Sequence, residues 1–230
     1  MNKRILIFLL VLGVLACESK PPDFVIEGRI DGLKKGKIYL QKIQDTAIIN
    51  IDSVEFYNTN QFRIERELEF PEVMYLQLQR DTIETTDNFI AFFADKGKLT
   101  IKAELDEFMF AEVEGDYANQ IKFTEYSEII KRFGDQKLDL IKAEIDARKN
   151  LNQEKLDSVN AAYNKMNKRR YLFAINFAIG HPDLEVSPYI VINQAEYIST
   201  NYLDTIYQAL DNKIRKSYYG SKLKELIDKE

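Results

Sequence analysis

Apolar residues recur two apart up to Gly115 and three or four apart after Asp116. This change of period constrains the fold more than any other feature. Side chains alternate faces along a strand and return to one face about every 3.6 residues along a helix. In the first stretch "FVIEGRI" alternates around Val25, Glu27 and Arg29, "QFRIEREL" around Phe62 and Ile64, and "EVMYLQLQ" around Val73 and Tyr75. Asn58 and Asn60 of "NTN" suit a left-handed turn. The near-continuous apolar run "NFIAFFA" is expected of a strand buried on both faces. Short strands with turn residues between them predict an antiparallel β-sandwich or barrel-like domain over residues 24–115.

The second stretch predicts an all-helical region of about five helices over residues 116–230, so the fold class is α+β. Asp116 is the expected N-cap of the first helix, with Ile121, Ile129, Ile130, Phe133, Leu138, Ile141 and Ile145 as its apolar stripe. Gly134 marks either a break or a cost. A second helix is expected from about Gln153 to Ile179, carrying Leu156, Val159, Tyr163, Met166, Phe173 and Phe177. Gly180 lies just past its end and Pro182 prevents continuation. Ser187 as cap and Pro188 at the first helical position predict a third helix.

The opening residues are of another kind. Lys3 and Arg4 precede an apolar run over Ile5–Leu12, and polar, helix-breaking residues follow Cys17. Residues 1–16 have the layout of a secretory signal and are shorter than the roughly 20 residues that span a bilayer as a helix. "VLAC", Val14 to Cys17, resembles the lipobox of bacterial lipoproteins. That resemblance implies cleavage before Cys17 and attachment of lipid to its sulfur, with residues 17–23 as tether. An ordinary signal with a coincidental cysteine is the alternative. Each buried CH₂ contributes roughly 0.8 kcal/mol, so two or more acyl chains anchor where one is marginal.

Removing residues 1–16 moves the formal charge from −5 to −7 and leaves 214 residues. An acidic body without a basic run is a poor partner for nucleic acid. Cys17 is the only cysteine, so no disulfide or Cys-x-x-Cys pair is expected. Only Glu18 is acidic directly after Cys17, which favours the periplasmic side of the outer membrane over surface display.

"FVIEGRIDGLKKGKIYL", "IDSVEFYNTNQFRI" and "VEGDYANQ" in the strand half, with "SPYIVINQ", "LDTIYQAL" and "SYYGSKLKEL" in the helical half, resemble a set of lipoproteins. These carry an N-terminal β-domain of unknown function 4369, then helices, then a thioredoxin-like domain, and look like thiol–disulfide oxidoreductases. The resemblance implies the fold. The redox Cys-x-x-Cys that would carry the activity is not among residues 1–230, so no catalytic residue is transferred.

The remaining candidates for chemistry read as structural. His181, the sole histidine, has no nucleophile or metal-ligand set in its sequence neighbourhood. Asp52 and Ser53 are adjacent on a strand and point to opposite faces. Asp81, Glu84 and Asp87 lack the spacing of a calcium loop and suit a solvated hairpin. Lys165, Lys168, Arg169 and Arg170 could touch lipid headgroups or an acidic partner, with a solvated face as the default. Tyr189, Tyr197, Tyr202, Tyr207, Tyr218 and Tyr219 are expected mostly as packing residues rather than a groove lining.

No cofactor, metal or enzymatic activity is expected. The expected role is a lipid-anchored, non-catalytic binding or adaptor module, held to the membrane through Cys17 and presenting a face to an envelope protein, a peptide or a glycan. An accessory scaffold working with a separate thioredoxin-like protein is the alternative.

Overall fold

A computed structural model describes residues 22–44, 47–80 and 89–229. Cys17, the leader, most of the tether, and Asp81, Glu84 and Asp87 lie outside these residues.

Among the described residues eight strands build two four-stranded sheets. The strands are β1 (Phe24–Asp31), β2 (Lys35–Gln44), β3 (Ala47–Tyr57), β4 (Gln61–Arg66), β5 (Glu72–Gln79), β6 (Phe89–Ala94), β7 (Gly97–Glu104) and β8 (Glu112–Gly115). The first sheet runs β4-β1-β7-β8 and the second β3-β2-β5-β6. One pairing departs from the antiparallel expectation: β1 lies parallel to β7, with Ile26 opposite Leu99. A parallel pair needs a long crossover, and here the four strands of the second sheet together with β4 of the first make it. Gly97 opens β7 at φ +137°, a conformation that favours glycine.

Alternation sends one residue of each pair inward. Phe24, Ile26, Leu40, Leu76, Phe92 and Ile101 are fully buried between the sheets. On β6 the expectation of burial on both faces holds at the Phe92–Phe93 end, whereas Phe89 is exposed. Phe92 enters the sandwich, while Phe93 points the other way into a cluster with Phe123, Tyr126, Phe177 and Ile190 of the helices. That second cluster joins the two halves.

The helices are α1 (Ala118–Lys149), α2 (Gln153–Gly180), α3 (Val186–Ile192), α4 (Thr200–Ala209), the four-residue α5 (Asn212–Arg215) and α6 (Tyr218–Lys229). α1 and α2 form an antiparallel hairpin. Tyr126 stacks on Phe173 with ring centroids 5.5 Å apart near its base, and the Asn152 N–H donates to the Ala147 carbonyl at 2.9 Å at its tip. α1 passes through Gly134 without a break, where an added Cβ would meet nothing within 4 Å. That glycine is a cost only.

Three sequence expectations shift. Tyr117, not Asp116, is the N-cap residue of α1, and Asp116 Oδ1 instead accepts from the Lys98 N–H of β7 at 2.9 Å. Ser187 lies inside α3, where its hydroxyl donates to the His181 carbonyl at 2.6 Å. None of the expected α1 stripe is fully buried: Ile121, Leu138 and Ile145 are exposed and Ile129, Ile130, Phe133 and Ile141 half-buried, while the apolar residues α1 does bury, Phe123, Tyr126 and Ala147, lie off that stripe. Beyond its base the hairpin gives α1 a single helical partner, so only a narrow seam is covered.

Candidate functional site

The segment Asp116–Gln120 ties the start of α1 to the β6 edge of the second sheet. β6 is an edge strand, and an edge exposes unpaired backbone groups. The Tyr117 hydroxyl donates to the Phe93 carbonyl at 2.8 Å, and Gln120 Oε1 accepts from the Phe93 N–H at 2.7 Å. Asn119 Nδ2 donates to Asp95 Oδ2 at 2.6 Å, and its Oδ1 accepts from the Val186 N–H at 3.1 Å. The start of α1 therefore closes the β6 edge and fixes α3 to it. Burial pushes the Tyr117 hydroxyl well above its ordinary pKa of 10.0, so it stays protonated and donates.

Among the described residues the helices cover the outer face of this sheet at the Val73–Phe93 end. Tyr219 closes that end, its hydroxyl accepting from the Val73 N–H at 3.0 Å. At the other end the sheet stays open as a groove of about 240 Å³ lined by Gln41, Ile43, Ile48, Tyr75, Gln77 and Phe89. Ile43 is 49 %, Ile48 67 % and Phe89 44 % exposed. Tyr75 meets Phe89 edge-on at 5.7 Å between centroids and separates the groove from the covered end. The floor is a run of amides: Gln41 Nε2 donates to Asn50 Oδ1 at 2.8 Å and to Gln77 Oε1 at 2.7 Å. A register shift at Leu40/Gln41 leaves Ile51 of β3 without a partner beside this floor.

Among the described residues the lining of the groove holds no carboxylate, amine, imidazole or thiol. Its volume is below the 300 Å³ or so at which small-molecule sites begin. It suits one or two apolar side chains, with polar edges met by the amides.

The outer face of the first sheet is a wider hollow of about 710 Å³ around Gly28 and Thr100. Its charges largely neutralise one another. Arg63 pairs with Glu27 and Glu65, Lys98 with Glu27 at 2.6 Å, and Lys102 with Glu112 at 3.2 Å. Exposed pairs of this kind are well solvated and select weakly.

The sequence candidates fall elsewhere. His181 caps the end of α2, with Nδ1 2.8 Å from the Phe177 carbonyl and its ring 4.5 Å from that of Phe177. Asp52 Oδ1 accepts from the Ser53 N–H at 2.7 Å, and Asp52 lies 3.6 Å from Arg66. Of the six tyrosines, Tyr189, Tyr207 and Tyr219 are packing residues as expected, while Tyr197, Tyr202 and Tyr218 are exposed. Among the described residues no group of three or more His, Cys, Asp or Glu side chains could hold a metal ion, and no helix is long and apolar enough to cross a membrane. Sequence reasoning missed the groove because Gln41, Tyr75 and Phe89 come from three strands. The only local signal was apolar residues at strand positions facing away from the sandwich.

Residues 24–121 match the family model described as Domain of unknown function (DUF4369). The matched stretch takes in all eight strands and ends one residue past Gln120, so the side chains that close the β6 edge belong to the domain. No curated protein and no solved structure matches the chain.

Proposed function

We propose that this protein is a lipid-anchored lipoprotein of the cell envelope, facing the periplasm from the outer membrane, that acts as a non-catalytic binding module. The groove on the second sheet is the observation that carries this reading. An apolar slot with an amide floor accepts side chains of a partner protein or peptide, whereas a glycan would meet too few polar groups along its walls. The helices support the reading by holding β5 and β6, two of the strands beneath the slot, at their Val73–Phe93 end, and a preorganised site loses less conformational entropy on binding. The basic start, the short apolar run and Cys17 support the anchor.

A photo-crosslinking residue placed at Ile48, compared in cells with one placed at exposed Asp139 on the hairpin, tests the proposal. A discrete adduct from position 48 that disappears with Ile43→Asp is expected. Equal labelling from both positions, or an adduct indifferent to Ile43→Asp, would overturn it.

A further inference from the structure

The α1/α2 hairpin carries a charge imbalance that the groove does not use. Lys131 and Arg132 lie on α1, and Lys165, Lys168, Arg169 and Arg170 on α2. The antiparallel pairing sets them at one level: the Arg169 guanidinium sits over the Phe133 ring at 5.9 Å. Across residues 128–135 and 163–170 five exposed cations and the half-buried Arg170 stand against two acids, Glu128 and Asp135. Among the described residues none of the six forms a salt bridge. Lys122, Lys142, Arg148 and Lys155 of the same hairpin each pair with a carboxylate. Lys165 has Lys168 and Arg169 three and four residues on, a like-charge spacing that weakens a helix by about 0.2–0.5 kcal/mol per pair. The band therefore costs the hairpin some stability.

Its cations are interleaved with aromatic rings. Lys131 lies over Phe110 at 4.8 Å and Arg170 over Tyr197 at 5.1 Å, and both rings are exposed. Basic heads beside exposed aromatic and aliphatic side chains are the composition of a surface that rests at a headgroup boundary. The geometry also brings the band within reach of a bilayer. The Phe24 ring, where the fold begins, lies 6.4 Å from that of Tyr117, the N-cap residue of α1. Lys131 is about 21 Å further along α1 at 1.5 Å per residue. The seven steps from Cys17 to Phe24 reach at most about 25 Å. A chain held at Cys17 can thus lay this band on the surface that holds it, although the rest of the body is acidic.

We propose that the cation band of the α1/α2 hairpin docks on anionic lipid headgroups, orienting the body so that a defined side faces the membrane. The orientation at the bilayer rests on the anchored reading above, whereas the affinity for anionic lipid does not.

The full chain is mixed with phosphatidylcholine vesicles, with or without phosphatidylglycerol. Flotation is recorded, and lysine acetylation is mapped by mass spectrometry. Flotation with pure phosphatidylcholine reports the anchor, and lysine protection that requires phosphatidylglycerol reports the band. Lys131, Lys165 and Lys168 are expected to be protected on phosphatidylglycerol, while Lys35 and Lys213 are not. Protection should fall about fivefold for each of Arg132→Gln and Arg169→Gln and should vanish in high salt. Flotation without headgroup-dependent protection would overturn the band and leave the anchor standing. Protection on phosphatidylglycerol without flotation on phosphatidylcholine would do the reverse. Protection of these lysines only in intact cells, on both wild-type and lipid-depleted membranes, would assign the band to an acidic protein and overturn the proposal.

Discussion

Glu185 shows how a single residue joins the helices and what that costs. It is 7 % exposed, accepts from the Ser217 hydroxyl at 2.7 Å, and also accepts from the Tyr219 N–H. Burial pushes its carboxyl above the ordinary 4.5, and neighbouring Asp95 adds to the rise while Lys213 opposes it. The folded state therefore holds this proton more tightly than the unfolded chain does. Its contribution to stability is fully present below the unfolded pKa and is lost as pH rises through the folded one. Glu72 is shifted the same way, by burial, against the pull of Lys42. Glu185→Gln keeps an acceptor for Ser217 and removes the charge. Urea denaturation at pH 4 and pH 7 should show a smaller loss of stability with rising pH in the variant than in the wild type. Equal losses would mean that Glu185 is not shifted by its surroundings.

At the scale of elements, the β6 edge and the start of α1 depend on each other. Gln120→Ala leaves the buried Phe93 N–H without its acceptor, which costs about 1–3 kcal/mol. A fall in the urea midpoint with an unchanged slope is expected, and Gln153→Ala at the exposed start of α2 should leave the midpoint in place.

Much of this level was readable in the sequence. Alternation located the strands, the switch at Gly115 located the start of the helices, and "NFIAFFA" disclosed a strand with a core on each side. Other features were not. Helical period identifies an apolar face but not whether a second partner covers it, so Leu138 and Ile145 read as core and are exposed. Asp116 has the chemistry of a cap, yet a strand amide two elements away takes its carboxylate. The basic run at Lys165–Arg170 was visible, whereas its union with Lys131 and Arg132 arises only when the hairpin closes. The parallel β1/β7 pair and the groove are likewise products of pairing between distant segments.

For the whole molecule, the cluster built on Phe93 makes the sandwich and the helices share a core, so a partner at the groove and a membrane at the hairpin would act on one body. The proposed binding face would sit at a limited distance from a bilayer only if Cys17 carries lipid. Metabolic labelling with a fatty-acid analogue, read on wild type and Cys17→Ala together with the mass of the native protein, tests this directly. Label on the wild type, none on the variant, and a native chain that begins at a modified Cys17 are the expected results. Label that persists in Cys17→Ala, or a native chain that retains residues 1–16 with an unmodified thiol, would contradict it.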